Sequence, residues 1–588
     1  MIFNVVMRII ILILLALFSY GDSLENGFAL DDLIQISENP LITSWSTGFE
    51  YFYRGAFPGD LYRPLTFLSY VLDYSFYGEE PWGYHLTNLM LYLVVVCLAY
   101  RLLAQVFEPI LAFMAAALFA VHPIHVEVIA NVSGRAELLA ALGVLLALLC
   151  VLSLGRVQRV ERFLYAVALF LSACFGIFSK ESAVCLLLLT PIVLVFTRKS
   201  SIKHALCSVE FVLVLAAAVF YLSARVFAIG SLTSTVPVAF VDNPLVYVTD
   251  LERVYVALAL LGRYLCLALF PVTQLIDYSY PVLAGFVPSE SNFILSQFLI
   301  GLVVTVVSIS ILILGRKQRY LSFSLIWFFA CFVVTANLFF PIGTIFAERL
   351  LFLASLGAST LVASLVWLSG SKSVGTRFSW SIKTIRIGQF ALLILLLVAG
   401  VLGSRNQVLF WKNNQTLLAR QIQFSPSVKT RLNYAALMQL EGDFDRAYLY
   451  AHSAYLVRPE YAEAMVRLGD IKFKQANLAY ARFWYLRALS VEPRSYQAAV
   501  SYAKLFISEQ NFVEAEHWLR RAIQNNPPGT EAPSLLVTVL LSLNRFSEAQ
   551  DLFNSLWRIV PKDKHVRRLY ALMTSHGLVK FRPAPERQ

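Results

Sequence analysis

The sequence predicts an all-α protein in two parts, a polytopic membrane domain over residues 1–404 and an α-solenoid over residues 405–588. Composition is the first reason: 58% of the residues are hydrophobic and 14% are charged, whereas about a quarter are charged in ordinary soluble domains. Position along the chain is the second. Long apolar runs fill the chain up to residue 404, and a 34-residue pattern then replaces them, as in Ala447, Ala481, Ala515 and Ala549.

The membrane domain is predicted from apolar runs that approach the length needed to cross a hydrocarbon core of about 30 Å. These runs fall near residues 3–20, 86–106, 107–121, 136–155, 162–178, 183–197, 206–226, 252–270, 293–315, 321–340, 347–369 and 387–404. The first run contains one cation, Arg8, and the "FSYGDS" after it lacks a small-x-small cleavage site. We therefore expect a retained helix and not a cleaved signal peptide.

Cationic loops predict which side of the membrane each run faces. Loops 156–162, 198–203, 316–319 and 372–386 carry several Arg or Lys and few acids, so the positive-inside rule places them in the cytoplasm. Run 206–226 then leaves the cytoplasm and run 293–315 returns to it. Run 252–270, which contains Arg253 and Arg263, is therefore predicted to be re-entrant or to lie on the outer surface. About eleven membrane helices remain, and loop 21–85 and everything after residue 404 face outside.

Residues 405–588 have the pattern of a tetratricopeptide-repeat solenoid, in which small and aromatic residues pack paired helices and proline ends each unit. Four repeats are predicted near residues 427–460, 461–494, 495–528 and 529–562. This part holds 25 Lys and Arg against 15 Asp and Glu, hence +10 of the formal charge of +11. The basic surface is either simply solvated, or it attracts acidic membrane lipids or an acidic partner chain.

Two kinds of protein are disfavoured by what the sequence lacks. All seven cysteines lie in or beside apolar runs, and their number is odd, so no disulfide framework is predicted. No Walker-type glycine loop is present, which argues against an ATP-driven pump.

A series of motifs in the membrane domain points to a known family. The motifs are "LDD" (30–32), "YRPL" (62–65), "GYHLTN" (83–88), "FAVHPIHVEVIANVSGRAELL" (119–139), "SKES" (179–182), "DNP" (242–244), "DYS" (277–279) and "FAERLLFL" (346–353). Together they resemble the transmembrane and tetratricopeptide-repeat O-mannosyltransferases of the C-type glycosyltransferase superfamily. The resemblance implies a polyprenyl-phosphate sugar donor, with mannose as the suggested sugar. It also implies a hydroxyl acceptor, expected to be protein Ser or Thr engaged by the repeats.

The paired carboxylates Asp31 and Asp32 lie directly outside the first membrane helix. Transfer of a sugar to a hydroxyl needs a base that takes the hydroxyl proton, and either acid is suited to that role while its neighbour orients the acceptor or binds a cation. The alternative is that the pair caps a helix beginning at Leu33. The sequence does not rank the two acids.

Three cations lie at predicted outer ends of membrane helices. Arg135, Lys180 and Arg349 are the candidate clamp for the donor phosphate, whose charge develops as the sugar leaves. Each has an acid close by in the sequence: Glu137, Glu181 and Glu348, respectively. The alternative is therefore a set of structural ion pairs or interfacial anchors.

The segment "HPIHVE" places His122, His125 and Glu127 on one outer loop, where we expect them to bind donor phosphate or sugar. Its spacing is not that of a common zinc motif, so no metal site is predicted, although a divalent cation is left open as a cofactor. Arg63 and His85 are candidate substrate contacts or interfacial anchors. The sequons at Asn131 and Asn414 receive no role.

Two alternatives to a glycosyltransferase stay open at this point. One is a non-catalytic membrane scaffold whose repeats recruit partners, and the other is a transporter of lipid-linked sugars. No nucleic-acid partner is expected. We expect a bacterial inner membrane with periplasmic repeats, or the endoplasmic reticulum with lumenal repeats if the source is eukaryotic.

Overall fold

The computed structural model describes residues 2–53, 55, 61–198, 201–232, 238–269, 271, 274–283, 291–314, 319–368, 382–525, 530–559 and 563–578. Within these residues every secondary-structure element is a helix. Contacts divide the chain into a membrane unit, residues 1–37 with 49–417, and a repeat unit, residues 38–48 with 418–588. The cations predicted at positions 199, 316, 317, 372 and 377 lie outside the described residues.

In its described residues the membrane unit is helical, and proline begins three of its longer helices at a position where its missing N–H costs no hydrogen bond. Only the longer helices are numbered. They are α1 (Ile2–Tyr20), α2 (Pro64–Tyr77), α3 (Pro81–Val106), α4 (Pro109–Ala120), α5 (Arg135–Leu154), α6 (Arg159–Ser179), α7 (Leu186–Arg198), α8 (Val209–Ile229), α9 (Asp250–Leu269), α10 (Ser291–Leu314), α11 (Arg319–Phe332), α12 (Ala354–Leu368), α13 (Ile382–Val408) and α14 (Asn414–Phe424). The predicted boundary after residue 404 lies within α13, and the contact division lies within α14.

Length and composition identify the helices that could cross a membrane. Among the described residues there are eight, or nine if Pro109–Ala120 and Pro123–Ile129, which meet at a bend of 53°, form one span. Two shorter apolar helices, α11 and α12, fall at the predicted runs 321–340 and 347–369. The chain is thus a multi-pass membrane protein, and eleven crossings stay a prediction. Helix α9 is continuous over 20 residues, but it is not among the helices whose length and apolar composition would let them cross a membrane.

Close packing of α5 against α6 shows how the fold brings charged residues together. A Cβ atom at Gly143 would lie 2.5 Å from the backbone of Gly176, so only glycine permits this approach. The helices follow one another along the chain through a short turn, so the beginning of α5 lies beside the end of α6. Glu137, in the first turn of α5, therefore meets Lys180, which follows α6.

The repeat unit is built of paired helices. The pairs are α15 (Val428–Leu440) with α16 (Phe444–Val457), α17 (Ala462–Lys474) with α18 (Leu478–Val491), α19 (Tyr496–Ser508) with α20 (Phe512–Asn525), and α21 (Glu531–Ser542) with α22 (Phe546–Ile559); α23 (Lys564–Ser575) follows. Each pair falls within one of the four predicted repeats. Ala447, Ala481, Ala515 and Ala549 are fully buried where the helices pack.

The turn inside each repeat has the same backbone conformation. Positive φ angles occur at Gly442 (82°), Ala476 (58°), Gln510 (60°) and Asn544 (58°), positions that are 34 residues apart. This left-handed conformation costs little at glycine and more at residues with a Cβ atom. The repeat packing therefore holds the turn even where the sequence does not favour it.

Candidate active site

The loop after α1 carries the paired acids, and the structure separates their environments. Asp32 is fully buried. Its carboxylate accepts hydrogen bonds from the backbone N–H groups of Ala29 (3.3 Å), Val132 (3.2 Å) and Ser133 (2.7 Å). Burial raises the pKa of Asp32 to about 7, and the three N–H donors oppose that rise. Asp32 thus fastens the loop to the segment before α5, and it does not cap the short helix Leu33–Ser37 that follows it.

Asp31 has the opposite environment. Its side chain is exposed, and no hydrogen bond or ion pair to its carboxylate is found among the described residues. It lies close enough to Arg349 to act on the guanidinium electrostatically. Of the two adjacent acids, Asp31 is the one available to a substrate.

Arg349 lies in the short helix Glu348–Leu351, just before α12, and Glu127 holds it. The Arg349 guanidinium forms an ion pair with the Glu127 carboxylate, and the Arg349 backbone N–H donates to the same carboxylate over 2.9 Å. Glu127 is 5% exposed, whereas the Arg349 side chain is 31% exposed. One edge of the guanidinium is therefore fixed while another part of it is accessible.

Lys180 follows α6 and pairs with Glu137 from the first turn of α5. Both side chains are almost completely buried, at 9% and 8% exposure. Burial lowers the pKa of the Lys180 ammonium, and the Glu137 carboxylate opposes this. The pair joins two helix ends and leaves a small part of the ammonium accessible.

A third pair completes the cluster. The Nε atom of Arg63, the residue before α2, lies 2.9 Å from the Glu181 carboxylate, and Arg225 approaches the same acid at 4.0 Å. Lys180 is near enough to both Arg63 and Arg349 that their charges lower its pKa. Three predicted site cations therefore come together, and we call Arg63, Lys180 and Arg349 the cation cluster.

Arg135 has different surroundings from the other two predicted clamp residues. It is fully buried, and its guanidinium contacts the Asp73 carboxylate (2.5 Å), the Asn88 side-chain oxygen (2.7 Å) and the carbonyl oxygens of Tyr84 (2.9 Å) and Ser69 (3.2 Å). These acceptors direct its donors into the protein. The contacts match the alternative role, a structural ion pair.

The two histidines of the "HPIHVE" segment are also oriented by protein groups. The Nε2 atom of His122 lies 2.9 Å from the Ala268 carbonyl oxygen. His125 is fully buried, with Nδ1 2.9 Å from the Tyr92 hydroxyl and Nε2 2.8 Å from the Ser355 hydroxyl. No group of three or more potential metal ligands occurs in the described parts of the chain. Both rings are thus held by protein groups, His122 by a backbone carbonyl and His125 by two hydroxyls.

The two predicted substrate contacts lie in different places. Arg63 belongs to the cation cluster. His85 is fully buried in α3, with Nε2 3.4 Å from the Gly27 carbonyl oxygen. His85 therefore supports the loop that carries Asp31 and is not exposed to a substrate.

Glu348, the sequence neighbour of Arg349, faces away from it into a separate network. Its carboxylate accepts from the Tyr278 hydroxyl (2.5 Å), the Gln274 amide (2.7 Å) and the Leu275 backbone N–H (2.9 Å). This network fixes the loop before α12, and it leaves Glu127 to pair with Arg349.

Comparison with known proteins gives similar proteins for about three quarters of the chain. Protein O-mannosyl-transferase Tmtc3 of Drosophila melanogaster is 27% identical over 79% of this chain and 57% of its own length. Two human proteins, Protein O-mannosyl-transferase TMTC3 and Protein O-mannosyl-transferase TMTC1, are each 26% identical, over 76% and 77% of this chain and 51% and 55% of their own lengths. This chain is similar in sequence to the transmembrane and tetratricopeptide-repeat O-mannosyltransferases. It spans about half the length of these relatives.

A family model also matches the repeat unit. Residues 506–573 match the tetratricopeptide repeat. The predicted family resemblance and the predicted repeats are thus confirmed, and the membrane helices accompany them as the resemblance implies.

The site contains several charged residues to which the sequence analysis assigned no role in the site. Glu137 and Glu181 hold cations of the cluster, and Arg225 approaches Glu181. Asp73 neutralises Arg135. Each is a charged residue in or beside an apolar run. That position could have identified them from the sequence, because charged residues are costly in a membrane unless they are paired.

Proposed function

We propose that this chain is a membrane glycosyltransferase that moves a sugar from a polyprenyl-phosphate donor to a hydroxyl group of a protein. One observation carries the proposal: the exposed carboxylate of Asp31 lies within electrostatic reach of Arg349, which is one of three clustered cations that are each held by a carboxylate. The relatives' names suggest mannose as the sugar and transfer to protein as the reaction.

In the proposed reaction, the acceptor oxygen attacks the anomeric carbon, and the bond from that carbon to the phosphate oxygen breaks. The phosphate leaves with the electron pair, and Asp31 takes the proton from the acceptor hydroxyl. General-base assistance of this kind contributes about 10²–10⁴-fold to a rate. Asp32 is a positioning residue, since its buried carboxylate holds the loop.

The cation cluster stabilises the departing phosphate. Arg349 is the main contact because its side chain is the most exposed of the three. Prior pairing with Glu127, Glu137 and Glu181 fixes the cations before the donor arrives, so little reorganisation is needed during the reaction. Arg135, His122, His125 and His85 act as supports and not as donor ligands.

The repeat unit is proposed to bind the protein acceptor. The first helices of three successive repeats, α17, α19 and α21, line a cavity of about 160 Å³. Arg467, Asp470, Gln497, Lys504 and Glu531 supply both donors and acceptors to it, and the Nε atom of Arg467 is buried without a hydrogen-bond partner in the described residues. Such a lining suits the N–H and C=O groups of an extended polypeptide, since stacked repeats commonly present concave binding surfaces.

The acceptor role can be tested with one variant and one control. Arg467→Ala should raise KM for a protein acceptor and leave transfer to a small hydroxyl acceptor unchanged. Arg520→Ala, on the second helix of a repeat and outside the cavity, should change neither. An unchanged KM in the Arg467 variant would remove this cavity from acceptor binding.

We also propose that the Asp31 loop and the repeats face the outer side of the membrane, in the periplasm or in the lumen of the secretory pathway. The cationic loops support this orientation: with those loops in the cytoplasm, counting the crossings between them places loop 21–85 and everything after residue 404 outside. A reporter that is active only in the cytoplasm, fused after residue 420, should be silent. Strong activity of that fusion would place the repeats in the cytoplasm. The bacterial setting stays a prediction.

The reaction class is tested by turnover of purified protein with a panel of radiolabelled polyprenyl-phosphate sugars and a peptide acceptor. We expect label to pass to the peptide from at least one donor. Asp31→Asn should slow transfer by about 10²–10⁴-fold, whereas Asp22→Asn should leave it unchanged, because Asp22 lies in the same loop but pairs with Arg405. Donor binding without transfer under any condition would favour a transporter, and no donor binding would favour a scaffold.

A further inference from the structure

The segment that follows α13 contacts the loop that carries Asp31. The Lys412 carbonyl oxygen accepts a hydrogen bond from the Gly27 backbone N–H over 2.9 Å. The Asn414 side-chain oxygen accepts one from the Leu30 backbone N–H over 2.8 Å. Almost four hundred residues of chain separate the partners, so this contact is a product of the tertiary fold.

Leu30 needs such support because its backbone conformation is unfavourable. Its φ angle is 51°, in the left-handed region that residues with a Cβ atom seldom occupy. Conformations of this kind persist where surrounding contacts hold them, and they are often found at functional sites. The hydrogen bond that the Leu30 N–H donates to the Asn414 side chain is a direct contact on this residue from a distant part of the sequence.

Asp31 is therefore held from both sides while its own side chain stays free of hydrogen bonds among the described residues. Asn414 fixes the residue before it, and the N–H groups of Val132 and Ser133 fix Asp32, the residue after it. The left-handed turn at Leu30 sets the direction in which the Asp31 carboxylate leaves the backbone. That direction brings it within electrostatic reach of Arg349.

We propose that Asn414 is a positioning residue for the general base. Its side-chain oxygen keeps Leu30 in the left-handed conformation and so aims Asp31 at the acceptor hydroxyl. This inference rests on the proposed function, in which Asp31 takes the acceptor proton. Since Asn414 also begins the sequon Asn414-Gln415-Thr416, a glycan on its nitrogen is the competing explanation for any effect of mutation.

Three variants of the full-length protein separate these explanations. Asn414→Ala removes both the acceptor oxygen and the sequon, and Asn414→Asp keeps an acceptor oxygen but removes the sequon. Thr416→Ala keeps Asn414 and removes the sequon together with the hydrogen bonds that the Thr416 hydroxyl donates to the carbonyl oxygens of Phe410 and Asn413. We measure turnover, donor affinity, and hydrogen exchange of the backbone amides in residues 28–32. Exchange reports the Leu30 contact whether or not the enzyme is active.

Asn414→Ala should lower turnover by about 10- to 100-fold, the scale expected when a reacting group is displaced by about 1 Å. Its donor affinity should stay normal, and amides 28–32 should exchange faster. Asn414→Asp should retain most of the turnover and slow exchange, and Thr416→Ala should match the wild type. This pattern would support positioning and exclude a role for the glycan.

Other results would overturn the inference. Normal turnover in Asn414→Ala, with Asp31→Asn inactive, would reject positioning and leave the proposed function intact. Full activity in Asp31→Asn would reject the proposed function itself. Equal losses in Asn414→Asp and Thr416→Ala would assign the effect to a glycan.

If Asn414→Ala does not fold, Asn414→Gln replaces it, since it moves the amide oxygen by one methylene. Reduced turnover in that variant with normal donor affinity would support positioning. Normal turnover would show that the contact serves folding alone, and would overturn the inference.

Discussion

Charged side chains behave differently in the two units of the molecule. In the membrane unit, Arg135 and Asp73 are 0% and 4% exposed, and their pairing joins distant segments of the chain. In the repeat unit, Arg520 and Glu516 are four residues apart on one helix and largely or partly exposed. Buried pairs are strongly destabilising when one partner is lost, whereas exposed pairs contribute little. The membrane unit therefore uses its charges to fix a site, and the repeat unit uses them at its surface.

The largest effect should come from breaking the buried Arg135 network. Arg135→Ala leaves Asp73 and Asn88 buried without their partner, at a cost on the order of 3–5 kcal/mol. We expect little folded protein in detergent, measured by size-exclusion chromatography. If Arg135→Ala folded normally and lost only donor binding, Arg135 would be a phosphate ligand and not a structural residue. That result would contradict the contrast drawn here.

Substitution of Arg349 should have the next largest effect. It should lower catalysis and leave folding unchanged. Arg349→Ala should reduce turnover by on the order of 10²-fold, because it removes a preorganised donor to the leaving phosphate. Arg349→Lys, which keeps the charge but not the planar fork, should lose less. Folded Arg349→Ala protein with unchanged turnover and donor affinity would remove Arg349 from the site.

The same contrast explains how much could be predicted from the sequence. The helices follow from the length of the apolar runs, and the repeats follow from the spacing of Ala447, Ala481, Ala515 and Ala549, because both are local or periodic properties. The ion pairs do not follow. Sequence proximity suggests Glu181 for Lys180 and Glu348 for Arg349, but the fold pairs them with Glu137 and Glu127.

The two acids show the same limit. Asp31 and Asp32 are adjacent and chemically identical, so only the backbone decides which is buried. That backbone depends on the left-handed conformation of Leu30. A leucine in the sequence gives no reason to expect this conformation. Two of the three N–H groups that donate to the Asp32 carboxylate belong to Val132 and Ser133, which lie 100 and 101 positions away in the sequence. Tertiary contacts, which the sequence does not display, therefore decide which acid is exposed and which is buried.

A pH dependence of stability should reveal Asp32. Its pKa is raised from 3.8 to about 7 in the folded protein, so between these values the folded state keeps a proton that the unfolded state has lost. The contribution of Asp32 to stability should fall as pH rises from about 4 to about 7 and level off above that. Tm measured across this range should show the fall in wild type and a flatter profile in Asp32→Asn. Identical profiles would contradict the assignment.

The smallest effect is expected in the repeat unit. Arg520→Ala removes exposed ion pairs with Glu516 and Glu548, which solvent screens. We expect no resolvable change in Tm. A large drop would show that surface pairs hold the solenoid together and would weaken the contrast between the two units.

The central claim is that Asp31 performs chemistry and Asp32 supports it, and single-turnover sugar transfer per folded molecule tests this most directly. Asp31→Asn should fold, bind donor normally and transfer sugar about 10²–10⁴-fold more slowly. Asp32→Asn should yield less folded protein, but each folded molecule should retain more activity than Asp31→Asn. Full transfer by folded Asp31→Asn, together with inactive folded Asp32→Asn, would contradict the account.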